Sequence, residues 1–272
     1  IKVRSESAPE TLGETVVCRI INMQKNRDAS LENIGGDDLF IEPLRKAMRK
    51  KNGLILMCGQ TGSGKSYTLF SSLMSMDRNK KKILSIEDPV EYEGEGISQI
   101  DVNKNNLTFS DALRSSLRLD PDVIMVGEIR DRETAELAMK AASTGHLVFS
   151  TIHTNGALQA INRLKGMGID EDILMENVEL ISALTLRKKL CPKCKRKITD
   201  YSKDILDDFS SLIAQGLTLY EANEGGCSNI QCFKGIVGRQ LLTESITKEI
   251  VRAKINCEVV PGYRSLKQCA KE

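Results

Sequence analysis

A glycine-rich segment contains the first residues whose types and spacing could do chemistry. Its members are Gly59, Gln60, Thr61, Gly62, Ser63, Gly64, Lys65 and Ser66. They follow the apolar run 53–58, so the segment joins a predicted strand to a predicted helix at roughly 65–76. In such a loop, backbone N–H groups and the N-terminal end of the helix bind phosphate oxygens. A chance match is disfavoured because the preceding strand is in place.

The segment therefore predicts a site for a nucleoside triphosphate with Mg²⁺. Lys65 is expected to contact the β- and γ-phosphates, and Ser66 is expected to bind Mg²⁺. We also include the next residue, Tyr67, among the predicted nucleotide contacts.

Polar residues follow three further predicted strands. Glu87 follows the strand at 83–86, Glu128 follows the strand at 122–126, and His153 follows the strand at 146–151. Ligands collect at the carboxyl ends of parallel strands, where a carboxylate can hold Mg²⁺ or orient the attacking water. We predict that Glu87 orients the water and that Glu128 belongs to the Mg²⁺ and water network. Helix capping is the alternative for either carboxylate alone.

Four of the eight cysteines form two pairs. The first pair is Cys191 and Cys194, and the second is Cys227 and Cys232, with four residues between its members. Thiolates at such spacings suit tetrahedral zinc, so we predict a Zn²⁺ site; reduced, metal-free turns are the alternative. Cys18 and Cys58 lie in apolar runs and are predicted to be small buried residues.

The elements that must position these residues alternate along the chain. Short apolar strands are followed by amphipathic helices from residue 53 to about residue 165, which predicts a mostly parallel sheet covered on both faces. The runs 2–5 and 15–21 before this region are predicted to be two paired strands. The fold class is therefore α/β.

Composition excludes several classes of protein. The longest apolar runs are five or six residues, whereas a membrane-spanning helix needs roughly 20, so we expect no direct membrane insertion. The chain has 39 Lys and Arg against 37 Asp and Glu, a balance that gives no general argument for nucleic-acid binding. It opens within a predicted strand without a signal-peptide pattern, so we expect a fragment of a longer protein.

Three segments beyond the glycine-rich loop carry a resemblance to a known family. Residues 86–92, 120–131 and 144–155 resemble the Asp box, the Walker B segment and the His box of the secretion ATPases, in the family's order. That family drives type II secretion and assembles or retracts type IV pili. In it, Gly replaces the usual Walker B aspartate, as at Gly127, and the next residue, here Glu128, carries the function.

The resemblance implies a RecA-like core that hydrolyses ATP as a homohexamer. It implies a position in the cytoplasm, peripheral to the bacterial inner membrane, with a polytopic platform protein and a membrane-anchored recruiting protein as partners. Residues 1–30 resemble the last strands of an N-terminal domain and its linker, most of that domain being missing. Arg4 and Arg19 match family arginines that reach the γ-phosphate. His153 is expected to link the presence of the γ-phosphate to domain movement.

The same resemblance covers the cysteines. Within an ATPase domain at 31–272, residues 186–245 resemble the zinc-binding insert of assembly and secretion ATPases, with Gly238, Arg239 and Glu244 after the cysteine pairs. The family's second pair usually has two residues between its cysteines, and this one has four. Retraction ATPases generally lack the insert, which favours assembly or secretion.

Two other functional classes remain open. A nucleic-acid motor would share the RecA-like core, but the sequence has no aromatic and basic stacking platform for single strands. A non-enzymatic zinc-bearing adaptor would need the glycine-rich loop to be vestigial, which its complete sequence and the two strand-end carboxylates argue against.

Overall fold

A computed structural model describes residues 2–21, 29–103, 106–203, 218–256 and 263, and residues 206, 210, 213, 214 and 216 singly. The first two strands, β1 Lys2–Glu10 and β2 Gly13–Ile21, form an antiparallel hairpin in which Arg4 and Arg19 are directly opposite. Their pairing confirms the prediction of two paired strands here. Of the linker predicted around residues 25–36, residues 25–28 lie outside the described part of the chain.

Seven strands form the central sheet. They are β3 Gly53–Cys58, β4 Ile83–Glu87, β5 Ile97–Asp101, β6 Val123–Val126, β7 Leu147–Ile152, β8 Val178–Leu190 and β11 Ile236–Thr247. Their order across the sheet is β11-β8-β3-β7-β6-β4-β5, and all neighbours are parallel except the β11–β8 pair at one edge. Two short strands, β9 Arg196–Lys197 and β10 Tyr220–Glu221, pair separately.

Helices cover both faces of this sheet. They are α1 Asp38–Met48, α2 Lys65–Met74, α3 Phe109–Ser116, α4 Arg132–Ser143, α5 Ala157–Gly166, α6 Glu171–Asn177 and α7 Lys248–Ile255, with 3-10 turns at Leu31–Asn33 and Leu117–Leu119. Alternate residues of β3 point to opposite faces: Leu56 packs in the core layer of α3 to α7, whereas Met57 packs in the layer of α1 and α2. The predicted α/β class, with a mostly parallel sheet covered on both faces, is confirmed.

Several helices begin at a capping side chain. Asp37 accepts a hydrogen bond from the Phe40 N–H at 3.1 Å, and Asp131 accepts one from the Thr134 N–H at 2.8 Å. These bonds satisfy N–H groups that have no partner within the first helical turn, which fixes where α1 and α4 start.

The structure also differs from the sequence-based prediction, in its strands and at one cysteine. Strands β5, β8 and β11 were not predicted, and β8 and β11 extend into the range assigned to the cysteine insert. Cys58 is buried as predicted, but Cys18 is exposed, as are its neighbours Val16 and Val17. The prediction for Cys18 was wrong because a strand pattern shows which residues are apolar, not whether another layer covers them.

Among the described residues, none of the helices combines the length and the apolar character needed to cross a bilayer.

Candidate functional site

The glycine-rich loop turns sharply between β3 and α2. Gly59 has φ +147°, and a Cβ placed there would lie 2.5 Å from the Leu184 carbonyl oxygen, so only glycine fits. Gly64 precedes α2 at φ +95° and supplies no side-chain cap, which leaves the first N–H groups of the helix facing the loop. Backbone N–H groups in this arrangement bind anions.

Lys65 places its charge inside the loop. Its Nζ donates to the carbonyl oxygens of Gly59 at 2.7 Å and Gln60 at 3.0 Å, and burial lowers its pKa from the usual lysine value. Ser63 Oγ is buried beside it, with no hydrogen-bond partner in the described part of the chain. A buried ammonium and an unsatisfied hydroxyl in one loop fit a phosphate group, which would accept hydrogen bonds from both.

Strand order then brings the predicted polar residues together. Strands β3, β7, β6 and β4 are neighbours with their carboxyl ends at the same edge, so the loop, His153, Glu128 and Glu87 follow one another along it. The turn that carries Glu128 is held on both sides: the Gly127 N–H donates to the Ile86 carbonyl at 2.8 Å, and the Ile129 N–H donates to the Thr151 carbonyl at 2.9 Å. All three polar residues line one cleft of about 1440 Å³ together with Thr61 through Phe70.

Glu87 lies in a largely buried position. Its Oε1 accepts hydrogen bonds from Ser85 Oγ at 2.8 Å and from Gln99 Nε2 at 3.1 Å. Burial raises the pKa of the Glu87 carboxyl above its ordinary value, and these two hydrogen bonds only partly offset that effect. A carboxyl with a raised pKa is better suited to accept a proton near neutral pH than an ordinary glutamate.

Glu128 has charged partners instead. Arg130 donates to Glu128 Oε1 through Nη2, and its Nη1 lies 3.9 Å from Asp88 Oδ2. His153 Nε2 lies 3.7 Å from Glu128 Oε2, and burial, together with the nearby Lys65 charge, lowers the pKa of His153. The Glu128 carboxyl therefore lies between the Arg130 guanidinium and the His153 imidazole, whose lowered pKa keeps the ring neutral at neutral pH.

An aromatic cluster follows the loop on one side of the cleft. Tyr67 meets Tyr92 edge to face with ring centroids 5.7 Å apart, and Phe70 stacks on Tyr92 at 5.3 Å. Gln99 Nε2 also donates to the Tyr92 carbonyl at 2.8 Å, so one side chain fixes both Tyr92 and Glu87. Ser66 is exposed in the cleft, where its hydroxyl can reach a metal ion.

Sequence reasoning assigned no role to several residues that hold this site. Arg130, within the Walker B segment, bridges Glu128 and Asp88. Glu244, which follows the cysteines in the sequence, is buried, and its Oε1 accepts the Ala157 N–H at 3.2 Å and the Tyr263 hydroxyl. The Arg130–Asp88 and Glu244–Ala157 contacts join residues far apart in sequence, so no local pattern signals them.

Strands β8 and β11 form a two-stranded antiparallel ribbon, and the four predicted cysteines lie together at the end of it that is away from β3. All four Sγ atoms lie within 4.8 Å of one another, with Cys191 and Cys227 separated by 3.8 Å, and Cys194 and Cys232 by 3.6 Å. A tetrahedral zinc with Zn–S bonds of about 2.3 Å places its sulfurs about 3.8 Å apart, so the donor set fits zinc.

The long second spacing is absorbed by a turn. The Cys232 N–H donates to the Asn229 carbonyl at 2.8 Å, which returns the chain so that both sulfurs face the first pair. Burial raises the pKa of the Cys191 thiol, but hydrogen bonds from the Lys193 N–H and the other three thiols outweigh it and lower the pKa to about 7. A thiolate at neutral pH is the form that binds metal.

The structure does not bring every predicted residue into this site. Arg4 and Arg19 are paired in the β1–β2 hairpin, and their predicted contact with a γ-phosphate remains a prediction. Gly238 and Arg239, on the ribbon that leads to the cysteines, do line the cleft.

Relatives of known family are similar in sequence to most of this chain. The type II secretion system protein E of Pseudomonas aeruginosa is 45% identical over 196 residues, which cover 72% of this chain and 39% of the relative. The type IV pilus assembly ATPase PilB of Acinetobacter baylyi is 44% identical over 213 residues, covering 76% and 36% respectively. The chain thus spans well under half the length of these two relatives.

The fold has solved counterparts as well. The crystal structure of the pilus retraction motor PilT with bound ADP is similar with a TM-score of 0.63 and 26% identity, and the similarity covers 93% of this chain and 67% of that one. This similarity supports the predicted RecA-like core. A family model described as Type II/IV secretion system protein matches residues 1–268. The chain therefore belongs to the type II/IV secretion system protein family, as its four motifs predicted.

Proposed function

We propose that this chain is the ATP-hydrolysing part of a hexameric ATPase that powers assembly of a type IV pilus or a type II secretion pseudopilus. The observation that carries the proposal is the convergence of the phosphate-binding loop, Glu87, Glu128 and His153 on one cleft. A loop alone would bind nucleotide, whereas two carboxylates with different surroundings supply separate partners for the metal and for the attacking water.

The surroundings of the two carboxylates divide their roles. Glu128, which accepts a hydrogen bond from Arg130, is suited with Ser66 to hold Mg²⁺, which when bound would neutralise charge on the phosphates. Glu87, with its raised pKa, is suited to orient water and accept its proton. Lys65 holds the β- and γ-phosphates, and Tyr67 contacts the nucleotide. His153, close to Glu128, links the presence of the γ-phosphate to movement.

The chain divides in this proposal into two parts. Residues 1–30 are the last strands of an N-terminal domain with its linker, and Arg4 and Arg19 reach the γ-phosphate when that domain closes over a nucleotide site. Residues 31–272 form the ATPase domain, and 186–245 are its tetracysteine insert. Because only ATP, ADP and phosphate enter and leave the cleft, the useful output is a movement of subunits that each nucleotide state biases differently.

The cysteine cluster is proposed to hold one structural zinc. Its four sulfurs meet the distances of a tetrahedral site, and they join the segment that follows β8 to the segment that precedes β11. Bound zinc would cross-link these two segments. The cluster favours an assembly or secretion role, while the similarity to a pilus retraction motor keeps retraction as the second candidate.

The partners follow from the family. We propose that the hexamer acts in the cytoplasm at the bacterial inner membrane, with a polytopic platform protein and a membrane-anchored recruiting protein. The P. aeruginosa and A. baylyi relatives serve secretion and pilus assembly by their names, so the cargo of this chain is either a pilin or a secreted protein.

The direct test is ATP turnover by the assembled protein. Lys65→Ala should abolish nucleotide binding or reduce phosphate release to background, because the loop loses its buried ammonium. Lys80→Ala, which removes an exposed lysine paired with Asp77, should leave turnover unchanged. Equal turnover in the parent and in Lys65→Ala would refute ATP hydrolysis in this cleft.

A further inference from the structure

The turn that carries the second cysteine pair exposes two large apolar side chains. Ile230, between Cys227 and Cys232, is 100% exposed, and Phe233, directly after Cys232, is 76% exposed. A single exposed apolar residue is normal on a protein surface. Here two of them lie within four residues, on a turn away from the nucleotide cleft. Together they form a small exposed apolar patch, the apolar point, and such patches mark interaction surfaces.

Backbone hydrogen bonds hold the turn that carries this apolar point. The Cys232 N–H donates to the Asn229 carbonyl at 2.8 Å, and Phe233 and Ile236 exchange backbone hydrogen bonds at 2.8 and 3.0 Å. With the four sulfurs also together, the two apolar side chains are presented by a fixed turn. Little ordering entropy would be lost when such a preformed point meets a partner.

Basic residues lie on the same two cysteine turns as the apolar pair. Lys193 and Lys195 belong to the first cysteine turn, which the Sγ contacts place against the second, and Lys234 follows Phe233; all three are exposed. In the described stretches 187–197 and 218–239, the acidic side chains are Glu221 and Glu224, and basic residues clearly outnumber them. The two cysteine turns therefore expose apolar side chains together with cationic ones.

We propose that this knuckle tip, defined as Ile230 and Phe233 with Lys193, Lys195 and Lys234, docks on an anionic membrane surface. Apolar side chains at a cationic surface enter the boundary between headgroups and acyl chains, while lysines remain among the anionic headgroups. A protruding point of this kind fits a soft lipid surface without a matching pocket. The contact goes beyond the proposed function, because the chain itself then touches the membrane that its partners were proposed to reach for it.

The test is co-sedimentation of the zinc-loaded protein with vesicles. Vesicles of phosphatidylglycerol and phosphatidylethanolamine in a 1:3 ratio are compared with vesicles of phosphatidylcholine, each at low and high salt (about 0.05 and 0.5 M). The parent should bind the anionic vesicles at low salt. Ile230→Ser with Phe233→Ser should lower that binding at least about tenfold, because the apolar contact is lost. Leu12→Ser, which removes a fully exposed leucine outside the cysteine turns, should have no effect.

Charge reversal provides the second arm of the test. Replacing Lys193, Lys195 and Lys234 with Glu keeps the apolar pair but should remove the preference for anionic vesicles. Zinc content and ATP turnover at the parent level in both variants would show that the fold and the nucleotide site are intact, so this test is separate from that of the proposed function.

Three outcomes would overturn the proposal. The first is equal vesicle binding by the parent and the Ile230→Ser, Phe233→Ser variant. The second is binding of the parent to neutral vesicles as tight as its binding to anionic ones. The third is a change of oligomeric state in that variant while vesicle binding persists, which would assign the knuckle tip to a contact between copies of the chain.

Discussion

Glu87 and Glu128 lie at the carboxyl ends of the neighbouring strands β4 and β6, yet their surroundings differ. Arg130 forms an ion pair with Glu128, whereas burial disfavours the ionised form of Glu87 and raises its pKa. A carboxylate kept in an unfavourable environment costs stability, and functional sites commonly carry this cost.

Glu87→Gln should slow ATP turnover without weakening ATP binding, and it should raise the melting temperature near neutral pH. A glutamine Oε1 can accept the same hydrogen bonds from Ser85 and Gln99. The variant removes only the cost of the buried charge, at about 2–4 °C for each kcal/mol.

The pH dependence gives the sign of this effect. Because the folded-state pKa of Glu87 is raised, the parent loses stability as pH rises above the unfolded value of about 4.3. The advantage of Glu87→Gln should thus be present at pH 7 and disappear as pH falls below about 4. Thermal melts across this range measure it, and an advantage that grows in acid would contradict the assignment.

At the scale of elements, sequence patterns predicted the parts of the fold that local chemistry determines. Strand β3, the glycine-rich loop and α2 follow from an apolar run, glycines and a helical pattern in sequence order. Strands β8 and β11 were missed because they change character along their length, from buried residues near β3 to exposed ones near the cysteines. Such strands show neither a continuous apolar run nor a regular alternation.

In the site, too, local patterns predicted some features and missed others. The sequence could predict that the loop carrying Lys65 and the carboxylates Glu87 and Glu128 meet at one edge of the sheet, since parallel strands align their carboxyl ends. It could not predict that Glu244, from the antiparallel strand β11, reaches the start of α5. That contact depends on which strand lies beside β8, and 87 residues separate its partners.

Glu244 is predicted to position the loop that precedes α5. Gly156 at the start of α5 has no capping side chain, and Glu244 accepts the Ala157 N–H in its place. Glu244→Ala would leave this buried donor unsatisfied, at a cost of about 1–3 kcal/mol in unfolding free energy. Because the loop carries His153 and Asn155, whose Oδ1 accepts a hydrogen bond from Gln60, ATP turnover should fall as well.

Asp37→Ala serves as the matched control. It removes the cap of α1, at a similar cost of about 0.5–2 kcal/mol, but α1 carries none of the predicted site residues. Urea unfolding and ATP turnover should separate the two variants. Turnover that falls equally in both, in proportion to stability, would assign Glu244 a purely structural role.

At the scale of the whole molecule, the cysteine cluster joins segments that are otherwise held by the ribbon of β8 and β11. Protein purified without chelator should contain about one zinc per chain, and Cys191→Ser with Cys194→Ser should release it. Proteolysis should then attack residues 186–245 before the ATPase core. Cys18→Ser, outside the cluster, should retain the metal. Elemental analysis without zinc in the reduced parent would favour metal-free turns.

The N-terminal hairpin carries the other prediction at this scale. Arg4 and Arg19 stand opposite each other in β1 and β2, so a closing domain would deliver both together. Replacing either with Ala should reduce turnover by orders of magnitude and leave ADP affinity nearly unchanged, as expected for an arginine that contacts only the γ-phosphate. Unchanged turnover in both variants of the assembled hexamer would make them ordinary strand residues.

The central claim is that the cleft hydrolyses ATP through a metal and water network containing Glu128. The most direct measurement is phosphate release by Glu128→Gln, with retention of radiolabelled ATP followed on the same sample. The account predicts that ATP is retained and phosphate release is lost, because glutamine cannot supply the negative charge. Glu136→Gln, which alters an exposed glutamate on α4, should turn over normally. Phosphate release by Glu128→Gln at the rate of the parent would contradict the account.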